Sequence, residues 1–289
     1  MQSITDRAML VDLTIKQWTA AKHDRNVSQE VAQLHGSDAT MGRYNKLLIG
    51  REALEKLRKV ATAAGQEHRR RTLPWLDNGA RILSSEGYFG YAELMRCFEA
   101  EWEQAVDEFV HDYPACVDQA QCRLNGLFRS DEYPPAHRIR DRFSFGYNVF
   151  PLPSSQDFRV ELGAAETARI QASIQDQVSE ALEAATRDVW ERMRTAVGHM
   201  VERLWTYRVT ADGVNGKFHD TLVENVRELV ELLPTLNVTD NTTMAELSDR
   251  MKADLCLYSA QTLRDSTSAR ERTAAAAEDI LHHIEAFAA

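Results

Sequence analysis

Two groups of arginines and one tryptophan are the side chains of this sequence best equipped for recognition chemistry. Arg69, Arg70 and Arg71 follow His68 in an unbroken basic run at the end of a predicted helix. A guanidinium offers a planar fork of donors that matches phosphate and carboxylate oxygens. A helix C-terminus also favours cations through its dipole, which accounts for part of the run. The surplus, with Lys56, Arg58 and Lys59 earlier on the same predicted helix, points to a nucleic-acid or acidic-protein contact. Arg138, Arg140 and Arg142 alternate immediately before Phe143, Phe145 and Tyr147. If a strand begins early, all three guanidiniums share one face and could grip phosphates beside rings able to stack on bases. If the segment from Pro135 is helical, only Arg138 and Arg142 align, and pairing with the acidic region of the chain follows. Trp75 lies in a dense apolar stretch, Leu73 to Leu83, and is expected either buried against the aromatic helix downstream or exposed as an interface anchor.

Nothing in the chain matches a phosphate-cradling glycine loop, a nucleophile elbow, a His-Glu-x-x-His zinc element or a calcium loop. His111, Cys116 and Cys122 are the nearest approach to a metal set, yet their spacing fits no common zinc site and supplies no fourth ligand. With Cys97 and Cys256, these cysteines read as reduced thiols packed in or beside helices. His282 and His283 point in different directions around a predicted helix and read as surface residues. No cofactor and no catalytic residue is expected, and the chain leans away from enzymes.

The net charge of −10 opposes indiscriminate attraction to nucleic acids or anionic membranes. The charges are segregated, however. Residues 43–71 carry nine Lys or Arg against three Glu, and residues 86–132 carry eleven acids against three Arg. Such asymmetry suggests intramolecular pairing or head-to-tail self-association as readily as an external ligand.

The elements that must position these residues are mostly helices. Alternation of Val11, Leu13 and Ile15 predicts a strand over residues 9–19, and Phe143, Phe145, Tyr147 and Val149 predict a second that could pair with the first. A short third strand is expected over 157–162. Ser28 is a plausible N-cap for a short helix that His35-Gly36 stops. Helices are expected over 45–71, along the stripe from Tyr88 to Phe109, and from Pro114 to Gly126.

The dominant feature is a helix of about 44 residues from Gly163 to Tyr207, a rod on the order of 65 Å long. Its apolar positions run from Ile170 through Val178, Val189 and Met200 to Leu204 with a mean step of about 3.8, away from the 3.5 of a left-handed coiled coil. Packing against several shorter helices is therefore expected rather than a heptad dimer. Three further helices follow, over about 222–233, 243–258 and 267–287. The fold class is α+β and predominantly α-helical: a long central helix packed with shorter helices, plus a small two- or three-stranded sheet. The expected division is a mixed domain over 1–162 and a helical bundle over 163–289, or one elongated domain.

No segment reaches the roughly 20 apolar residues of a membrane span, and no signal core opens the chain, so no membrane contact is expected and the cytoplasm is the default location. Four blocks, Arg43 to Leu48, Thr72 to Leu83, Ile139 to Phe143 and Leu222 to Leu229, resemble a family of unknown function found in phages, prophages and integrative elements. The resemblance runs along most of the chain and supplies no catalytic residues. It implies a mobile-element protein made in a bacterial host, encoded near MoxR-like AAA+ ATPases and von Willebrand A-type proteins, and it favours an assembly or adaptor role. The expectation is thus an oligomeric, non-enzymatic interaction protein that associates with itself or with other proteins, an AAA+ ATPase system among them. The alternative is a single-stranded nucleic-acid-binding or recombination accessory protein contacting phosphates through the two arginine groups.

Overall fold

The computed structural model describes residues 4–76, 79–157, 160, 162–210, 213–215 and 219–288. In chain order the regular elements are α1 (Ile4–Arg7), β1 (Ala8–Lys16), β2 (Ala21–His23), α2 (Arg25–His35), β3 (Asn45–Leu47), α3 (Glu55–Arg71), β4 (Leu73–Pro74), β5 (Arg81–Ser84), α4 (Tyr88–Leu124) and β6 (Ser144–Pro151). They continue with α5 (Ala164–Thr206), the hairpin β7 (Arg208–Thr210) and β8 (Gly213–Asn215), then α6 (Thr221–Leu236), α7 (Thr242–Leu255), α8 (Ala260–Asp265) and α9 (Thr267–Ala288). This is the expected α+β architecture, helical throughout except for small sheets. No helix among the described residues is long and apolar enough to cross a membrane.

The chain forms two compact units, each assembled from separate stretches, and the break expected at 162 is not where they divide. Met1–Asp12, Arg69–Phe89 and Val149–Ala289 make one; Leu13–His68 and Gly90–Asn148 make the other. The first is built on α5, whose 43 residues match the predicted rod. Val178, Ala181, Ala185, Val189, Trp190, Met193, Val197, Met200 and Leu204 are buried along it, and no residue before Val178 is. The apolar faces of α6, α7 and α9 close over this stripe to form one core. Helix α6 runs past Pro234, where the sequence predicts its end.

The main sheet has the order β4-β5-β1-β6, so the two predicted strands are neighbours. Strand β5 was not expected: residues 81–84 pair antiparallel with β1, Leu10 facing Ile82, inside a stretch that reads as an apolar loop. The sheet therefore has four strands rather than two or three. The third predicted strand is absent among the described residues of 157–162; a 3-10 turn, Ser155–Asp157, occupies its start, and residues 158, 159 and 161 lie outside the described part.

The core of the second unit forms where the aromatic stripe of α4, Trp102, Phe109 and Tyr113 among it, meets Leu57 and Val60 of α3 and Phe143. Helix α4 continues through Pro114 for 37 residues instead of restarting there. Proline removes one intrahelical hydrogen bond, and the buried faces of Tyr113 and Ala120 on either side hold the helix together across it. Residues 45–47, predicted helical, are instead a strand against β2, and α3 begins only after a 3-10 turn at Arg51–Leu54.

A buried charge cluster fixes the edge of this unit. Lys46 Nζ donates to Leu127 O at 2.8 Å and lies 3.2 Å from Asp24 Oδ2 and 2.7 Å from Glu132 Oε2, its side chain wholly inaccessible. Asp24, not Ser28, is the N-cap of α2: its carboxylate accepts from the Asn26 and Val27 N–H groups, while Ser28 Oγ donates back to Asp24 O at 2.6 Å. The Val27 N–H and then Lys46 hold the Asp24 carboxyl below its ordinary range. Burial pulls the Lys46 ammonium down, but Glu132 and Asp24 outweigh it and raise its pKa.

Replacing Lys46 by Met leaves two carboxylates buried without their counter-charge, and urea melts should show a loss of about 3–5 kcal/mol from this unit; an unchanged midpoint would mean that the cluster contributes nothing. Tyr113, buried with its hydroxyl donating to Pro134 O at 2.8 Å, has its pKa pushed up by burial to about 12. Because the folded state holds this proton more tightly than the unfolded chain, its contribution is complete below about pH 10 and lost as pH rises towards 12. Burial raises the Tyr133 phenol as well, so absorbance titration of phenolate should show a late phase that Tyr113→Phe reduces without abolishing.

Candidate interaction groove

The end of α3 is shaped by a residue far along the chain. Arg192 of α5 donates from Nη1 to Arg70 O at 2.8 Å and from Nη2 to Arg69 O at 3.1 Å and Thr72 O at 2.9 Å. The last carbonyls of a helix have no partners inside it, so a guanidinium fork delivered from outside satisfies them. Asp188, one turn before Arg192, lies 2.7 Å from the same Nη2 and aims the fork. Arg81 of β5 adds Nε to Thr72 Oγ1 at 2.7 Å and Nη2 to Thr72 O at 3.0 Å. Burial first, and then the neighbouring Arg192 and Arg69, pull the Arg81 pKa below the ordinary guanidinium value, with Asp188 opposing them.

Beside this junction α5 and α6 part to leave a groove of about 470 Å³. One wall is α5, with Asp188, Glu191, Arg192, Thr195, Ala196 and His199; the other is α6, with Leu222, Asn225, Glu228, Leu229 and Leu232, and Arg70 closes one margin. Both walls follow the three and four residue spacing of a helix face. The apolar floor comes from Ala196, Leu222, Leu229 and Leu232, which also pack on the core behind them.

The charges at the rim are already matched. Arg70 Nη1 lies 2.7 Å from Glu228 Oε2, and Arg194 holds Glu191 with bonds of 2.8 and 2.7 Å, which lowers the Glu191 pKa. Arg203 Nε donates to His199 Nε2 at 3.1 Å, leaving the ring proton of neutral His199 on Nδ1. Matched ion pairs around an apolar floor suit capture of an amphipathic surface rather than proton transfer.

The residues singled out in the sequence fall in both units. Arg70 lines the groove, Arg69 is exposed and Arg71 half-buried on the same helix end. Trp75 is 8% exposed and buried as one alternative required, but in the α5 core with Leu73 and Ile82 rather than against the aromatic helix. The cause is local: residues 73–74 pair with β5, which carries the chain into that core. Arg138, Arg140 and Arg142 belong to the second unit, on a 3-10 turn, Ala136–Arg142, and not on an early strand. At about 120° per residue, their side chains leave the turn in three directions, so no pair of them aligns. Arg140 reaches Asp107 and Glu103 of the acidic helix, the latter at 2.5 Å, and Arg138 lies 3.7 Å from Asp141. The acidic helix also receives Lys56, 2.6 Å from Glu108. Intramolecular pairing is therefore what much of the segregated charge does.

His111 and Cys122 are exposed, Cys116 is half-buried, and all four cysteines are free. Among the described residues no three His, Cys, Asp or Glu side chains converge as a metal set. The sequence reading missed Arg192, Asp188 and Glu228. Their only local signal was the spacing of Asp188 and Arg192, one turn apart on a half-buried face; the carbonyls they serve lie about 120 residues away.

Fold and groove together define a predominantly helical α+β protein with an open interhelical cleft. No protein family, curated protein or solved structure matches the chain.

Arg192→Ala should destabilise the α5 unit by about 2–4 kcal/mol, since it strips charged donors from three carbonyls at once. Arg192→Lys should recover only part of this, because an ammonium cannot reproduce the fork. Chemical denaturation followed by tryptophan fluorescence reads the effect through Trp75 and Trp190; equal stability of the Ala and Lys variants would remove the fork from the account.

Proposed function

We propose that the chain is a non-enzymatic interaction protein whose α5–α6 groove receives an amphipathic helix of a partner protein. The groove itself carries the proposal: two helical walls, an apolar floor and a rim of paired charges over residues 188–199 of α5, a length of about 16 Å or three helical turns. A third helix bringing apolar side chains at three and four residue intervals fills such a cleft and presents its polar face to the rim. The resemblance to phage and integrative-element proteins supports a place in the assembly machinery of a mobile element, with self-association or an AAA+ ATPase system as the source of the partner helix. The ionic engagement of Arg70, Arg138 and Arg140 counts against the alternative in which those arginines hold single-stranded nucleic acid.

Thr195 and Asn225 are exposed on opposite walls, so arginines placed there obstruct the groove without entering the core. Light scattering and affinity purification from element-bearing cells should find the wild-type chain self-associated or holding a protein partner, and Thr195→Arg with Asn225→Arg should release it at an unchanged melting temperature. A strict monomer that retains no protein overturns the proposal, and salt-dependent binding of single-stranded DNA lost on reversing Arg69 and Arg71 replaces it with the nucleic-acid alternative.

A further inference from the structure

Helix α2 and the loop after it hold a second cleft, wholly within the other unit. Its amphipathic face is not spent on the core. Val27, Val31 and Leu34 recur at the fourth and seventh positions and so share one face, yet Ala32 is the only buried residue of the helix. Val31 is 48% exposed, Leu34 80% and, on the loop, Met41 84%. The helix is instead anchored from behind, through its cap Asp24 and the buried Lys46.

Two cavities flank residues 37–44 and share Ser28, Ala39, Gly42 and Arg43. The first, about 290 Å³, adds Val31, Ala32, Ser37, Asp38 and Tyr44 and is chiefly apolar. The second, about 420 Å³, adds His23, Arg25, Gln29 and Thr40, so two arginines and a histidine line it without a single carboxylate. The side chains of Arg25 and Arg43 take part in no ion pair or hydrogen bond among the described residues, unlike those of Arg70, Arg138 and Arg140.

The histidine is oriented. Ser28 Oγ spends its proton on Asp24 O and accepts from the Tyr44 N–H at 3.0 Å, so the 3.0 Å contact with His23 Nε2 requires that nitrogen to be the donor. Asp38, which lines the first cavity but not the second, is turned onto Thr40, accepting from both its N–H and its hydroxyl at 2.8 Å, and Asp24 is committed to the α2 cap and Lys46. In an acidic chain, a cavity kept clear of carboxylates and given two uncommitted guanidiniums is a site for an oxyanion.

We propose that this cleft binds a phosphomonoester bearing a planar or apolar group. Arg25, Arg43 and the Gln29 amide donate to the phosphate oxygens, and the substituent lies along Val31 and Tyr44. A phosphate takes donors from several directions at once, which the two guanidiniums and an amide can supply, and a ring seated against Tyr44 adds stacking. The basic cavity falls in the size range of small-ligand pockets, roughly 300–1,000 Å³, with the apolar one beside it. The ligand could be a free nucleotide or the phosphorylated end of a nucleic-acid strand, which share this chemistry.

The variants that test it should fold. Arg25 and Arg43 are exposed, and a Cβ on Gly42 meets nothing within 4 Å, so Gly42→Glu places a carboxylate between the two cavities without a clash. Calorimetric titration of the full chain with adenosine 5′-monophosphate should show saturable binding, weaker binding of inorganic phosphate, and none of adenosine. Arg25→Gln and Arg43→Gln should each weaken it about tenfold, and Gly42→Glu should abolish it, with circular dichroism and melting unchanged. A 5′-phosphorylated oligothymidylate compared with its 5′-hydroxyl counterpart identifies the source: preference for the phosphorylated strand assigns a nucleic-acid end, and binding of the mononucleotide alone assigns a free nucleotide. Absence of binding by any phosphorylated probe, equal binding of adenosine, or indifference to all three substitutions overturns the proposal. None of these results depends on the α5–α6 groove.

Discussion

Three carbonyl oxygens at the end of α3, those of Arg69, Arg70 and Thr72, converge on one guanidinium, and much of the first unit is arranged by that convergence. A helix that stops abruptly exposes acceptors that water would otherwise solvate. Here the long helix supplies the donors, so the stop is made where β4 must begin. The two residues of β4 pair with β5, β5 pairs with β1, and Arg81 on β5 returns to Thr72. The turn from helix to sheet is thus clamped from two sides by positively charged forks. Arg70 is thereby held at the margin of the groove, facing Glu228, and α5 and α6 keep their charged margins while their apolar sides remain open between them.

The second unit solves its charge problem differently. Basic and acidic blocks that stand far apart in the sequence meet as ion pairs, Lys56 with Glu108 and Arg123 with Glu52, at exposed sites where each contributes little to stability. Lys46 is the exception, being fully buried, and its value lies in fixing where α2 starts and where the chain passes at Leu127 and Glu132. Once these pairings are made, Arg25, Arg43, Arg51, Arg96, Arg129 and Arg142 are left with uncommitted side chains among the described residues of this unit. Of these, Arg25 and Arg43 are informative because they line one cavity together, and no carboxylate stands in its walls although the chain carries a net charge of −10.

Periodicity made the long helix legible almost to the residue, because a 43-residue stripe averages over local irregularity. The alternation of β1 and the start of β6 was equally plain. Shorter signals failed where a tertiary partner decided the outcome. Residues 81–84 look like any apolar loop until β1 and β4 take up their hydrogen bonds on both sides. Ser28 looks like a cap, but Asp24, four residues earlier, has Lys46 to neutralise it and wins the position. Pro114 reads as a helix start, yet continuous burial along α4 overrides the one lost hydrogen bond. The arginines could be found by type, whereas their commitments depended on Glu103, Asp107 and Glu228, which no local pattern connects to them. Arg25 stands singly in the sequence and Arg43 reads only as the first charge of the basic block 43–71, and the two come together only around the loop that follows α2.

The opening turns of α5 have a consequence of another kind. Residues 164–177 belong to the helix but none is buried, and only Thr167, Ile170, Gln171 and Ile174 are even half-covered. The unfavourable nucleation step is already met by the packed turns beyond Val178, so these residues extend an existing helix, each step nearly neutral in free energy. Their helical length is therefore a statistical quantity set by temperature and solvent, while the core is indifferent to it. The rod has a sharp lower boundary in the bundle and a soft upper one. Backbone amides along it should grade in solvent protection, from fleeting near Ala164 to near-global at Met193.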